Sequence, residues 1–458
     1  MDESLTFAKH VVCITYDDLS QHVVDVTKKS LLDALAVTLA AGTMGEGCRT
    51  FVDLALSGAG KKESTIIGFR AKAPSYMAAF ANASMSHALD FEDTHDAATV
   101  HANAAAIPAA LAVAESTGGV SGKDLITAIA IGSDLVCRLG LALTVNAIDY
   151  GWYLPPVLEA FGATASAAKL LRLSEREILD AFSLTLCQAT CSAEIIYSPT
   201  SVVRAIRDAF SAKAAVLSAL LAQKKITGFD HPIEGKAGLF SIYVRGNYDP
   251  NILTNELGKT FEGANVSFKP WPSCRGTHSC IDAALEMRKT YKIRPSDVET
   301  IHLIVSPLNK MLCEPHQSKK SPATAIDAKF SLPFTVAQAI VHGNVSLDSF
   351  TAEALADQEV ITLAQKISYE VDPALTRTRA VEGTVEIRMK DGATHSETVQ
   401  LVYGHPENPM SEQAFMAKFS DCAKHAPKKL SKKRVETLVG LILNLEHLDD
   451  ISLITKYL

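Results

Sequence analysis

The segment HALDFEDTHDAATVH, residues 87–101, places three histidines and four acids within fifteen positions. Groups of these types hold a metal, move protons, or cap helix ends against water. A metal site needs three or four converging ligands at a recognisable spacing. The zinc pattern H-E-x-x-H is absent, and the central glycine and closing glutamate of a calcium loop are missing as well. Read as the end of a helix, His87, Asp90 and Thr94 stand at i, i+3 and i+7 and share one face, while His101 lies beyond a break at His95-Asp96 and has to fold back. A plainer reading has these side chains capping helix ends in water. The third reading is acid–base catalysis, and two further segments strengthen it.

VSFKPWPSCRGTHSC (266–280) carries Lys269, Arg275 and His278 in a proline-rich turn. YSPTSVVRAIRDAF (197–210) carries Arg204 and Arg207 at a helix start. An acidic protein that gathers cations at a domain junction is suited to hold an anion there. The plainer reading of Lys269 and Arg275 is surface salt bridging. Other chemistries lack their signatures: there is no GxGxxG after a strand, no GxxxxGK[ST] and no GxSxG elbow, and GGVSGKD (118–124) has no strand before it.

The elements that must position these groups change character near residue 265. Before it the chain reads almost wholly as helix: 30–42 with Gly42 as the stop, 74–94, 104–117, 122–143 with Ser121 as cap, 159–171, 174–190 opened by the Ser174/Glu177 capping pair, and 207–225. After it, period-two segments occur at 299–305, 383–389 and 398–403, with Lys390-Asp391-Gly392 as a hairpin turn. Helices lie between them at 279–291 and 327–343, and the tail returns to helix at 411–426 and 432–446. The expected organisation is mainly α: a large helical domain from 1–265 and 405–458, and a smaller α+β lid domain, 266–404.

With 458 residues, 47% apolar and 21% charged, the chain has the balance of a folded enzyme rather than a disordered one. A formal net charge of −7 argues against nucleic acid as a partner, and the basic run 426–434 reads as a solvated loop and helix start. Nine cysteines without a CxxC pair, Cys187 and Cys191 among them as neighbours on one helix, point to a reduced protein without disulfides. The N-terminus shows no secretory leader, and apolar runs such as 31–42 are too short to span a bilayer. A cytoplasmic location with no membrane partner is expected.

HALDFEDTH…H (87–101) paired with SFKPWPSCRGTH (267–278), across alanine-rich helices, resembles the MmgE/PrpD family. So do 31–42, 155–171, 207–228 and 327–343, and the resemblance covers nearly the whole chain. The family includes 2-methylcitrate dehydratases, cis-aconitate decarboxylases and an iminodisuccinate epimerase. The resemblance implies a helical domain built from both chain ends, an α+β lid, a cleft between them, a homodimer, and no metal or organic cofactor. It implies pocket roles for Asp90, Thr94, His101 and Lys269. Three positions depart from the decarboxylase pattern: a catalytic histidine is matched by Tyr153, a pocket lysine by Arg204 and a pocket tyrosine by Phe334.

The reactions of this family share removal of a group next to a carboxylate, which leaves negative charge that fixed cations must stabilise. Lys269 and Arg204, with Arg275, are the expected carboxylate holders, and Thr94 a hydrogen-bond donor to one. His101 and Tyr153 are the expected proton-transfer groups, with Asp90 orienting His101 or acting as a base; Tyr153 serves as a base only if the cations lower its pKa. Two proton-transfer groups without a leaving-group acid lead first to an epimerase or isomerase on a small di- or tricarboxylate. The alternative is a lyase of the dehydratase or decarboxylase type, and a catalytically silent carboxylate binder is a third possibility.

Overall fold

Small side chains set the architecture of the first half. In the computed structural model, which describes residues 2–58, 60–198, 201–376 and 379–458, the helices Gln21–Met44, Ser75–His87, Ala106–Thr117, Gly122–Leu141, Pro155–Leu170, Glu175–Leu186 and Asp208–Gln223 pack against one another. Alanine and glycine permit close approach. A Cβ on Gly162 would stand 2.4 Å from the Gly132 carbonyl oxygen, so Gly122–Leu141 and Pro155–Leu170 meet backbone to backbone. The capping signals act as expected: Ser174 and Glu177 form a reciprocal box, and Ser121 accepts from the Asp124 amide. Gly42 is not a stop, because the Gln21–Met44 helix runs through it to a cap at Gly45. The Glu175–Leu186 helix ends before Cys187, so Cys187 and Cys191 do not share it. All nine cysteines are free thiols.

One short hairpin interrupts the helices, β1 (Ser64–Ile66) with β2 (Ala71–Ala73). The main sheet has the order β4-β3-β5-β6, with β3 (Val298–Val305) parallel to β4 (Ile367–Val371) and antiparallel to β5 (Gly383–Met389). The hairpin turn closes at Gly392 (φ 93°), and Arg388 pairs with Thr394. The last strand, β6 (Thr394–Val399), therefore begins earlier than the apolar alternation at 398–403 predicts. It is an edge strand held by backbone pairing, and its THSETV sequence carries no buried face. The helix His278–Thr290 covers this sheet.

The segment 327–343 is two helices rather than one. Ala325–Lys329 ends, Ser331 caps the next helix through the Phe334 amide (3.0 Å), and Pro333 sits in the first turn of Leu332–His342. At the C-terminus, Glu412–Lys424 and Lys432–Leu443 pack on Gln21–Met44. Lys418 binds Asp33 at 2.6 Å, and Lys28 binds Glu446 at 3.0 Å. The fold is mainly α, and among the described residues no helix is long and apolar enough to cross a membrane.

Candidate active site

The Ser75–His87 helix stops at His87, and Asp90 takes a left-handed backbone conformation (φ 50°). His87, Asp90 and Thr94 therefore do not share a helix face; the chain turns through them instead. Thr94 pairs its backbone with Ser267 in both directions (3.0 and 2.7 Å), which ties this turn to the loop carrying Lys269. The His95 amide then donates to the Val100 carbonyl at 2.9 Å and returns the chain, so His101 comes back beside His87, with ring centroids 4.6 Å apart.

A buried network of charges results. The Lys269 ammonium is fully buried; it pairs with the Asp90 carboxylate and also donates to the Asp90 carbonyl at 3.1 Å. Burial pushes the Asp90 carboxyl up, but Lys269 together with the neighbouring histidines brings it down to about 2. Lys269 is in turn held above its usual value by Asp90 against the cost of burial. Glu92 Oε1 touches His87 Nδ1 and stands 2.8 Å from His101 Nδ1. On its other side His87 meets the Arg207 guanidinium through Nε2, and Asp208 lies 3.6 Å from its Nδ1. Burial and then the neighbouring Asp208 push the Glu159 carboxyl well above the usual range.

Beside this network stand cations with donors to spare. The Arg204 guanidinium lies flat over the Phe330 ring at 3.6 Å, and its Nε and Nη2 have no hydrogen-bond partner among the described residues. Arg207 sits over the Tyr153 ring at 5.1 Å. Lys329 is buried, donates to the Pro272 carbonyl at 2.9 Å and faces the Phe350 ring; burial lowers its pKa to about 7. Its own carbonyl accepts from the Cys274 amide at 2.9 Å, so the helix end at Lys329 clamps the Lys269 loop twice. Lys418 holds the network from the far side, donating to the Phe91 and Lys269 carbonyls at 2.6 and 2.9 Å. Within the network, His101 and Tyr153 are only half-buried.

The structure thus brings together Asp90, His101, Tyr153, Lys269 and Arg204, and places the other three expected site residues differently. Arg275 is committed to the protein: Nε and Nη2 bind Asp96 at 3.0 and 3.1 Å, and Nη1 donates to the Tyr403 carbonyl at 3.0 Å. It anchors the turn. The Thr94 hydroxyl donates to the Val100 carbonyl at 3.0 Å, so its proton serves the fold-back rather than a ligand. Phe334 is fully buried toward Phe350, and Phe330, four residues earlier, takes the place beside the cations. Tyr153 departs from expectation in its proton: Arg207 and Arg204 favour the phenolate, but burial outweighs them and raises the pKa. His101 is oriented by Glu92, while Asp90 is taken by Lys269.

Sequence reasoning assigned no role to Glu92, Glu159, Asp208, Phe330 or Lys329, and noted His87 and Arg207 only as members of their clusters. One signal was present for Glu159: it is a charge set among apolar and small residues in the first turns of its helix, and such a charge is buried only with a partner or a function. The ligand atoms of His87, Asp90, Glu92 and His101 all lie within 4.8 Å of one another, which is metal-ligand chemistry despite the irregular spacing. Lys269 already holds Asp90, however, and Arg207 already holds His87 Nε2. A divalent ion would have to displace one cation and sit beside the other.

The chain is similar to known proteins over nearly all of its length. The MmgE/PrpD N-terminal domain matches residues 5–251 and the MmgE/PrpD C-terminal domain matches residues 271–442. The chain is 26% identical to cis-aconitate decarboxylase of Homo sapiens over 99% of its own length and 94% of the relative's. It is likewise 26% identical to the Mus musculus enzyme of that name, over 99% and 92%. A cis-aconitate decarboxylase-like protein of Aspergillus oryzae is 26% identical over 85% of this chain and 83% of its own. The chain belongs to the MmgE/PrpD family of enzymes.

Proposed function

We propose that this chain is a lyase that needs no metal or organic cofactor and removes CO2 from a small unsaturated tricarboxylate such as cis-aconitate. The observation that carries the reading is a set of buried cations, with the donors of Arg204 open, beside two half-buried proton-transfer groups. The names of the relatives point the same way. Arg204, stacked on Phe330, presents a planar fork suited to one carboxylate. Lys269 supports a second carboxylate, or the charge that develops next to it. The carbon–carbon bond to the departing carboxylate breaks, CO2 leaves, and the electron pair spreads into the remaining unsaturated acid. A proton from His101 or Tyr153 then returns to carbon. Charge stabilisation by one such fixed donor contributes about 100- to 1000-fold to rate.

Epimerisation, the first expectation from the sequence, needs a base on each face of the substrate. Tyr153 suits the base role poorly, because burial raises its pKa; as a proton or hydrogen-bond donor it serves a lyase. Turnover of cis-aconitate, 2-methylcitrate and simpler dicarboxylates in D2O, followed by NMR, separates the readings. Release of CO2 with one deuterium incorporated at carbon is the expected result. Loss of water would place the chain among the dehydratases. Exchange at the α-carbon without net change would restore the epimerase, and binding without turnover would make it a carboxylate-binding protein.

A further inference from the structure

An arginine donates hydrogen bonds and accepts none. That single fact settles the protons along a buried chain of four residues. The Arg207 guanidinium meets His87 at Nε2, so Nε2 is the bare, accepting nitrogen and the one proton of a neutral ring sits on Nδ1. Nδ1 points at Glu92 Oε1, which therefore accepts. The same oxygen lies 2.8 Å from His101 Nδ1. Were that nitrogen bare, two lone pairs would face each other in a dry interior, so it too carries a proton.

We infer that Glu92 is a positioning residue: one carboxylate oxygen takes the Nδ1 proton of His87 and, as a close charge contact rather than an aligned hydrogen bond, favours a proton on His101 Nδ1, which leaves His101 Nε2 as the atom that exchanges a proton with the substrate. Which reaction that proton serves rests on the lyase reading; the placement of the proton does not. The surroundings agree. The Glu92 carboxyl is held well below its usual range against the cost of burial, with the buried Lys269 ammonium and the contact to His101 among the causes. Burial and Arg207 both disfavour a second proton on His87. The His101 backbone is pinned independently, its amide reaching Glu159 Oε1 at 3.4 Å. His87 thus works as a neutral spacer that carries the influence of Arg207 to Glu92, and His101 is the partly exposed ring of the pair.

The test reads the ring protons directly. The full-length protein is labelled with 15N in its histidine rings, and His101 is assigned by the signal lost in a His101→Gln variant. Spectra of wild type, Glu92→Gln and Glu92→Asp are compared on the alkaline side of the His101 titration, where the ring is neutral. Wild type is expected to show His101 protonated at Nδ1. Glu92→Gln is expected to lose that preference and to lower kcat by about 100-fold or more, with KM changed by less than about twofold. Glu92→Asp, which restores the charge, is expected to recover the tautomer and part of kcat. A wild-type His101 protonated at Nε2, or an unaltered tautomer in Glu92→Gln, would overturn the inference whatever the rate does. The expected tautomers in a protein that turns over no polycarboxylate would instead sink the lyase reading and leave Glu92 in place.

Discussion

Two buried arginines of this protein are used in opposite ways. Arg138 lies one turn from Asp134 on the Gly122–Leu141 helix, with its Nε held by that carboxylate at 3.0 and 2.9 Å. Its Nη1 donates to the Asn255 carbonyl at 2.8 Å and its Nη2 to the Thr260 carbonyl at 2.7 Å, so every nitrogen is occupied by protein. Arg204 is also buried but rests on an aromatic face, with Nε and Nη2 unpartnered among the described residues. A saturated guanidinium secures the fold. An unsaturated one, buried near Tyr153 and Cys274, is poised for an anion that supplies the missing acceptors.

The contrast breaks most visibly at Arg138. Arg138→Met leaves Asp134 buried without its partner and should cost about 3–5 kcal/mol of stability, while kcat of the folded fraction stays near wild type; urea unfolding and activity measured together read both. Arg204→Gln should do the reverse. It forfeits no protein hydrogen bond by its Nε or Nη2, so stability moves by less than about 1 kcal/mol. Turnover of the polycarboxylate, by contrast, falls about 100-fold as kcat/KM. If Arg204→Gln unfolds the protein and Arg138→Met kills the chemistry, the distinction is wrong.

A smaller effect sharpens the account of burial. Burial, with Asp33 nearby, raises the Asp93 pKa to about 7. Its unfolded value is near that of any aspartate, about 3.9. Between those limits the folded state binds the extra proton, so the contribution of Asp93 to stability is full at the acidic end and declines as pH rises toward neutrality. Asp93→Asn should abolish that decline: the difference in Tm between variant and wild type should grow in favour of the variant from mildly acidic to mildly alkaline buffer. A difference independent of pH would contradict it. Smallest of all is the metal test. Lys269 and Arg207 already occupy two of the four ligand-type residues around Glu92, so exhaustive dialysis against a chelator should leave turnover unchanged; loss restored by one divalent ion would reverse that view.

Much of this was legible in the sequence, and the misses have physical causes. The helices read correctly where apolar spacing and caps agree, as at Ser174–Glu177. β6 was displaced because an edge strand pairs through its backbone and needs no apolar alternation. The halves of the site, 87–101 and 267–278, stood out because cations and acids crowd unusual turns, and the structure joins them through Thr94 and Ser267. Glu92 was hidden because its partners lie five residues before and nine residues after it, across a helix end that no helical spacing describes. Phe330 and Lys329 were hidden by reading 327–343 as one helix, although Ser331 and Pro333 carry the signature of a new helix start. Arg275 was read as a substrate holder because nothing in a linear sequence shows that Asp96 will saturate it.

The central claim is that open donors on buried cations await a carboxylate. The most direct measurement is a crystal structure with a slowly turned-over or unreactive tricarboxylate bound. The account predicts one carboxylate bridging Arg204 Nε and Nη2, with a second within hydrogen-bond distance of Lys269 Nζ and the reacting carbon next to His101 Nε2. A ligand seated elsewhere, with Arg204 still resting on Phe330 and touching no anion, would contradict it.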